Sequence, residues 1–207
     1  MSTPPPGADA PRPRAAAAAL VAFLAIAFLA PCAARAEDTP PRELPPSCEV
    51  AGTRVILNGS AVRTVWGFEV YRIGLFLTAA NHDADAILQS DRNPKRVQII
   101  MLRSVSSDQF TGTVQQSIDR NFTPEEKTAF EGQLSSFLGF FHGGADLRPG
   151  SEVILDFVPG RGMVAALDGR ELGSIAGDDF YHAILRLWLA KPLQSSIRDG
   201  LLGGERG

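Results

Sequence analysis

Strand-forming and helix-forming segments are segregated along this chain, and their order constrains the fold more than any other feature. β-Branched and aromatic residues dominate the regions 50–77 and 96–102 and return after residue 150, whereas helical spacing dominates 106–141 and 178–202. Segregated runs of strands and helices are typical of α+β proteins. The order therefore predicts an α+β fold, with an antiparallel sheet and helices packed mainly on one face.

The dipeptide Asn58-Gly59 is the strongest short hairpin signal in the chain. We therefore expect strands over Val50–Leu57 and Ala61–Val65 to pair through a turn at that dipeptide, with a third strand at Phe68–Leu77. A nearly continuous apolar run over Arg96–Leu102 predicts a central strand. A strand with alternating faces from Val153 to Phe157, followed by turns at Pro159–Gly162 and Asp168-Gly169, predicts a closing meander.

Capping signals predict where the helices begin. Ser106 or Ser107 precedes apolar residues spaced four apart, beginning at Phe110. Thr123–Glu126 is a capping box with proline at the first helical position, and it predicts one helix that ends at Gly143-Gly144. Asp83 is expected to cap a short helix, and Asp178 is expected to cap a helix that continues through Leu189. A second short helix is expected after Pro192 and ends near Leu202.

The first 36 residues predict a secretory signal peptide. Arg12 and Arg14 precede a run of sixteen residues, Ala15–Ala30, without a charged or polar side chain, and Ala34-Arg35-Ala36 offers the small residues that a signal peptidase reads. Two alternatives stay open: a membrane-spanning helix, for which the run is short, and a lipoprotein anchored at Cys32. Cleavage after Ala36 predicts a periplasmic or secreted protein. A Pro-rich flexible leader at 37–47 and a folded domain at 48–205 would follow.

Composition excludes several classes of protein. The net charge is −3, and removal of the signal peptide makes it −5, because three arginines and one aspartate leave with it. Such a mildly acidic chain, with no cluster of Lys and Arg, argues against a nucleic-acid partner and against stable membrane insertion after cleavage. Cys48 is then the one remaining cysteine, so no internal disulfide forms and the fold depends on its core.

Motifs for common catalytic and cofactor sites are absent from the sequence. It contains no Gly-x-Ser-x-Gly elbow, no Walker A loop and no dinucleotide-binding fingerprint. His82, His142 and His182 are scattered, and Asn81–Asp85 is better interpreted as a hydrated loop with a helix cap than as a metal site. We therefore expect neither a cofactor nor a metal.

Arginines within apolar strands are the residues that point to a site. Arg63, Arg72 and Arg103 each lie in or at the end of an apolar run. One alternative is that each side chain simply points to water. A guanidinium that points inward keeps its proton and needs an anion or several acceptors. On a sheet lined by Phe, Leu and Val, it would form the polar end of a pocket for an apolar acid or carbonyl compound.

Several segments resemble the bacterial chalcone-isomerase-like family, and the resemblance covers about Val50–Gly203. It implies an open-faced β-sandwich, in which helices layer on a large antiparallel sheet and a ligand cleft lies between them. The segments that carry it are Leu57–Gly59 with Val62-Arg63, Val70–Leu77, Leu102–Ser106, Val158–Gly162, Gly169–Ile175, Asp179-Phe180, Ala183–Leu189 and Leu201–Gly203. Ala190 departs from the glycine that is usual in the family.

The resemblance also implies a site. Plant chalcone isomerases polarise a carbonyl with an arginine, assisted by Tyr, Thr and Asn. Their arginine matches Arg63, whereas their polar companions fall on Tyr71, Phe110, Ser117 and Leu187. Because Phe110 and Leu187 cannot donate a hydrogen bond, flavonoid ring closure is not expected here.

The family also contains non-catalytic fatty-acid binders, and three functions therefore stay open. The first is a periplasmic protein that binds a small hydrophobic carboxylate or aromatic ligand between Arg63 and Tyr71, with Arg103, Phe110, Ser117 and Leu187 as further contacts. The second is an isomerase or intramolecular lyase for an enone-type substrate, with Arg63 as the catalytic residue. The third is an envelope structural protein whose cleft is plugged by side chains such as Phe110, Leu187 and Trp188.

Overall fold

The structure, a computed structural model, describes residues 43–89 and 92–204, all within one compact unit that spans 38–207. The signal peptide expected at 1–36 and the leader up to residue 42 lie outside the described residues. Within them, no helix is both long enough and apolar enough to cross a bilayer.

Seven strands form one antiparallel sheet, and each strand pairs with the next strand along the chain. The sheet is therefore a continuous meander, which confirms the predicted α+β fold with a large antiparallel sheet. Helices occupy the connections between the third, fourth and fifth strands and the end of the chain. The strands are β1 (Ser47–Val50), β2 (Thr53–Val65), β3 (Phe68–Leu77), β4 (Lys95–Met101), β5 (Glu152–Val158), β6 (Gly162–Leu167) and β7 (Arg170–Ile175).

The Asn58-Gly59 hairpin prediction is wrong. Both residues lie inside β2, at a bulge where Asn58 is the extra residue. The side chain of Asn58 is buried, donates to the carbonyls of Asn81 and Leu201 at 2.8 and 2.9 Å, and accepts from the Asn81 backbone N–H at 2.8 Å. Hydrogen bonds to these distant partners stabilise the dipeptide inside the strand rather than in a turn, and the chain reverses elsewhere.

The reversals in this part of the sheet occur at two-residue turns whose second residue is glycine. Ala51-Gly52 joins β1 to β2, and Trp66-Gly67 joins β2 to β3. All four residues have positive φ, which is the geometry of a tight hairpin turn. Asp168-Gly169, between β6 and β7, has the same geometry and confirms the turn predicted there.

The helices are α1 (Ala84–Leu88), α2 (Ser107–Asn121), α3 (Pro124–Ala129), α4 (Glu131–Gly139), α5 (Asp178–Leu189) and α6 (Ser195–Leu201). The capping boxes at Ser106 and Thr123 both form. Two expectations are wrong. The single helix expected after Thr123 is broken at Phe130, whose side chain packs edge-on and tilted against Phe122 and Phe180. Gly177, not Asp178, caps α5, and Asp178 is its first helical residue.

The main core lies between one face of the sheet and the helices. Ile73, Leu75, Val97 and Ile99 point from the central strands into it and are buried. A smaller apolar cluster covers part of the opposite face, where Leu44 packs with Phe76 and Val55. The helices thus lie mainly on one face, as the segregated sequence predicted.

Candidate functional site

A cavity of about 250 Å³ lies between the helix-facing side of the sheet and the helices α2, α5 and α6. The sheet supplies Arg63, Tyr71, Ile99 and Met101, and the helices supply mostly apolar side chains. The cavity is therefore an apolar space with a few polar groups along one wall. This arrangement is typical of small-molecule sites.

Arg63 lies in β2 on the cavity side of the sheet and is half-buried. Its Nη1 atom donates to Oε1 of Gln194 at 3.3 Å. No carboxylate among the described residues forms an ion pair with it. The guanidinium has five N–H donors and keeps its charge, so it retains donors for an anion that enters the cavity.

Gln194 holds Arg63 while it closes the free edge of β2. Because β1 pairs only with Thr53–Ile56, the later part of β2 has no neighbouring strand on the edge opposite β3. The Gln194 side chain accepts from the Thr64 N–H at 2.9 Å and donates to the Val62 carbonyl at 3.2 Å. The Gln194 side chain thereby takes the place of a neighbouring strand at this edge. These hydrogen bonds also fix the position of its own Oε1, which accepts from the Arg63 guanidinium.

Tyr71 is the register partner of Arg63 across β2 and β3. A bulge in β3 makes Val70 the extra residue, so both Val70 and Tyr71 line the cavity. Burial raises the pKa of Tyr71, although a hydrogen bond with Trp188 and the positive charge of Arg63 act in the opposite direction. The phenol is therefore neutral at physiological pH and able to donate a hydrogen bond.

Helix α2 contributes a wall with few free donors. Phe110 lines the cavity and stacks in a tilted geometry on Phe141, with ring centroids 5.0 Å apart. The hydroxyls of Thr113 and Ser117 donate to the carbonyls four residues earlier in the helix, at 2.9 and 3.1 Å. Their protons are thus already used, so the amide of Gln116 is the other polar group that α2 brings to this otherwise apolar wall.

Helix α5 contributes Leu187 and Trp188, which both line the cavity. Together with Phe110 these side chains narrow the space, yet a void of about 250 Å³ remains. Five of the six residues selected from the sequence therefore line one cavity: Arg63, Tyr71, Phe110, Ser117 and Leu187.

The placement of Arg103 differs from the expectation. Arg103 lies beyond the end of β4, is exposed, does not line the cavity, and stacks its guanidinium over the Phe68 ring at 4.4 Å. Because β4 ends at Met101, the alternation of faces does not carry through to Arg103. Arg72 lies on the opposite face of the sheet, where it lines a wider polar depression with Glu69 and Asp199.

Sequence reasoning missed Val70 and Gln194. The bulge that turns Val70 inward depends on its carbonyl, which accepts from the Leu102 N–H at 2.9 Å, and so on a neighbour distant in sequence. Gln194 follows Pro192 and Leu193 in a stretch with no recognisable motif. Within the described residues, no group of three His, Cys, Asp or Glu side chains is placed to hold a metal.

Comparison with known proteins supports the same assignment of the fold. The family model described as "Chalcone isomerase-like" matches residues 36–203. No curated protein sequence matches the chain. Among solved structures, the crystal structure of an Arabidopsis thaliana fatty-acid binding protein, AtFAP1, is similar at 17% identity and a TM-score of 0.57, covering 77% of this chain and 90% of that one.

Proposed function

This chain belongs to the chalcone isomerase-like family, and we propose that it is a binding protein for a fatty-acid-like or aromatic carboxylate whose head group meets Arg63. One observation carries this proposal: the Arg63 guanidinium lines an apolar cavity, and the hydrogen bond found for it is to the neutral Gln194 carbonyl. A carboxylate would complete its coordination in a charge-assisted, two-pronged arrangement. The similar AtFAP1 structure is that of a fatty-acid binding protein, which supports the same ligand class.

The donors around the cavity favour binding over catalysis. Polarising an enone requires several donors aimed at one oxygen as charge develops on it. Arg63 and Tyr71 supply such donors here. Of the other positions matched to the polar companions in plant chalcone isomerases, Phe110 and Leu187 have no donor and the Ser117 hydroxyl is engaged within its helix. The site thus suits a stable carboxylate better than an oxygen that gains charge during a reaction.

The size of the cavity bounds the ligand. Small-molecule pockets usually enclose roughly 300–1,000 Å³, so a cavity of about 250 Å³ lies just below this range. We therefore expect a medium-length acyl chain or a single aromatic ring with an acid group, rather than a long-chain fatty acid buried along its whole length.

Mass spectrometry of organic extracts tests the proposal without prior choice of ligand. Protein is purified after export, as wild type and as Arg63→Ala. An acidic amphiphile should accompany the wild type and be depleted in the variant. Equal amounts in both proteins, or no acid in either when added acids also fail to bind, would contradict the proposal.

Calorimetry with decanoate and decanol then tests the role of the charge. Arg63→Ala should weaken decanoate binding roughly 10- to 100-fold, because hydrogen bonds to charged groups contribute about 1.5–3 kcal/mol. Decanol should bind more weakly and respond less to the substitution. Arg72→Ala is the matched control, since Arg72 lies on the adjacent strand but on the opposite face of the sheet. Equal losses in both variants would point to a general electrostatic effect.

The cellular location is also part of the proposal: the protein acts in the periplasm after its signal peptide is cleaved behind Ala36. The positively charged start, the apolar run and the Ala-Arg-Ala end of this segment support it. Sequencing the N terminus of the exported protein should find Glu37 first. A lipid-modified Cys32 or a retained Met1 would overturn this part while leaving the binding proposal intact.

A further inference from the structure

The hairpin turn between β2 and β3 carries an exposed apolar cluster, which we call the hairpin tip: Val65, Trp66 and Phe68. Their exposed fractions are 36%, 93% and 58%, and they are the large hydrophobic residues left exposed in the described part of the chain. Clusters of this kind on an otherwise polar surface mark interaction sites more often than single exposed residues do.

The fold does not require tryptophan in this turn. Trp66 has φ of 55°, a conformation in which Gly or Asn is more favourable. Its indole is almost fully exposed, so core packing does not explain it. A large aromatic side chain at the turn therefore points to a contact outside the chain.

The hairpin tip is continuous with the ligand cavity. Val65 belongs to the tip and also lines the cavity. Arg63, two residues earlier, lines the same cavity. Phe68 is the register partner of Val65. A surface that covers the tip would therefore lie beside the wall of the cavity that Val65 and Arg63 form.

The charges around the tip are divided between its two faces. Arg103 stacks over the Phe68 ring at 4.4 Å. Glu69, the acidic residue of the hairpin, lines the polar depression on the opposite face of the sheet. A Trp, a Phe and an adjoining Arg are the residues that favour the interface of a bilayer, where aromatic rings lie at headgroup depth and a guanidinium pairs with phosphate.

We propose that the hairpin tip docks reversibly on the surface of a phospholipid bilayer, so that an amphiphilic acid passes between the bilayer and the cavity. The passage of a ligand rests on the proposed function, whereas the docking itself rests on the tip alone. Because aromatic side chains supply most of the contact, docking should persist on neutral lipid and strengthen moderately on anionic lipid. Trp66 and Phe68 enter the interface, and Arg103 contacts headgroup phosphates.

The chain has two tryptophans, and they report separate events. Trp66 lies at the tip, whereas Trp188 is buried beside the cavity. Exported protein is mixed with vesicles of phosphatidylethanolamine and phosphatidylglycerol that contain brominated acyl chains, and in parallel with vesicles of phosphatidylcholine alone. Emission should shift to the blue and be quenched by the brominated lipid, and both effects should vanish in Trp66→Ser.

Variants identify the contact. Combined Trp66→Ser and Phe68→Ser should lower vesicle partitioning about 10-fold or more, as expected when two aromatic side chains lose their apolar contact. Arg103→Ala should lower it more on the anionic vesicles than on phosphatidylcholine, and Arg120→Ala, an exposed arginine on α2, is the control. All variants share the wild-type N terminus, so any contribution from that region cancels.

Ligand calorimetry without vesicles separates this proposal from the proposed function. Decanoate binding with no quenching by brominated lipid would overturn docking and leave ligand binding intact. Quenching that depends on Trp66 without decanoate binding would support docking and overturn the proposed ligand. A blue shift that depends on protein concentration and needs no lipid would overturn bilayer docking in favour of contact between two copies.

Discussion

Arg63 and Tyr71 face each other across β2 and β3 as register partners, and both side chains line the same cavity. The bulge at Val70 turns two successive residues of β3 to that side. A cation that keeps its charge and a neutral phenol donor thus lie side by side on one wall. The opposite wall, from α2 and α5, is mainly apolar.

Tyr71→Phe tests the phenol alone. The substitution keeps the ring and removes one donor, so decanoate affinity should fall about 3- to 10-fold, in line with a hydrogen bond of roughly 1 kcal/mol. Thermal unfolding should shift to a moderately lower temperature, since the substitution also removes the hydrogen bond with the buried Trp188. Calorimetry on both proteins measures the effect, and an unchanged affinity would remove Tyr71 from the site.

Absorbance titration tests the burial of the two tyrosines. Burial raises the pKa of Tyr71 and raises that of Tyr181 well above its ordinary value. Tyrosinate absorbance at pH 10 should therefore be lower than that of two unperturbed tyrosines, each of which is about half ionised at that pH. Because the folded state holds these protons more tightly, the free energy of unfolding should fall as the pH rises above about 10. Half-ionisation of either tyrosine at pH 10 would contradict the described packing.

Gln194→Glu tests whether Arg63 must stay free of an internal anion. The new carboxylate would lie where Oε1 of Gln194 now accepts from Arg63 at 3.3 Å. It should pair with the guanidinium and lower decanoate affinity about 10-fold or more. Gln133→Glu is the control, because Gln133 does not line the cavity and donates to the Ala176 carbonyl. Full affinity in Gln194→Glu would show that the carboxylate of the ligand does not need Arg63.

Gly59→Ala tests the packing of α6 on β2, and Gly112→Ala tests the open space beside α2. A Cβ on Gly59 would clash with the Gly200 carbonyl oxygen, so Gly59→Ala should destabilise the fold by about 1–3 kcal/mol or more. A Cβ on Gly112 in α2 meets nothing within 4 Å. Gly112→Ala should therefore stabilise the protein by about 0.5–1 kcal/mol, the usual gain in a helix. Denaturant unfolding measures both, and a tolerated Gly59→Ala would contradict the described contact.

The fold was predictable where local signals and the core agree. The apolar face that begins at Phe110, the cap expected at Ser106 or Ser107 and the capping box at Thr123 place the starts of two helices correctly. The Asn58-Gly59 prediction failed because hydrogen bonds to Asn81 and Leu201 outweigh local turn preference. Those partners are distant in sequence, and no local pattern could indicate them.

The site was predictable in part for a similar reason. Alternation along β2 allowed Arg63 to face inward or outward, and the resemblance to a family suggested which residues to consider. Arg103 was misplaced because a regular strand was assumed beyond Met101, where β4 ends. Gln194 escaped notice because its role follows from the free edge of β2, which is a property of the assembled sheet.

The contact between Arg63 and a ligand carboxylate is tested most directly by carbon NMR of decanoic acid labelled at its carboxyl carbon. In the wild-type complex, the pKa of the bound carboxyl should lie well below the pKa of the free acid, because a guanidinium favours the charged form. In Arg63→Ala, any bound carboxyl should titrate near or above its free pKa. A bound carboxyl that titrates identically in wild type and variant would contradict the account.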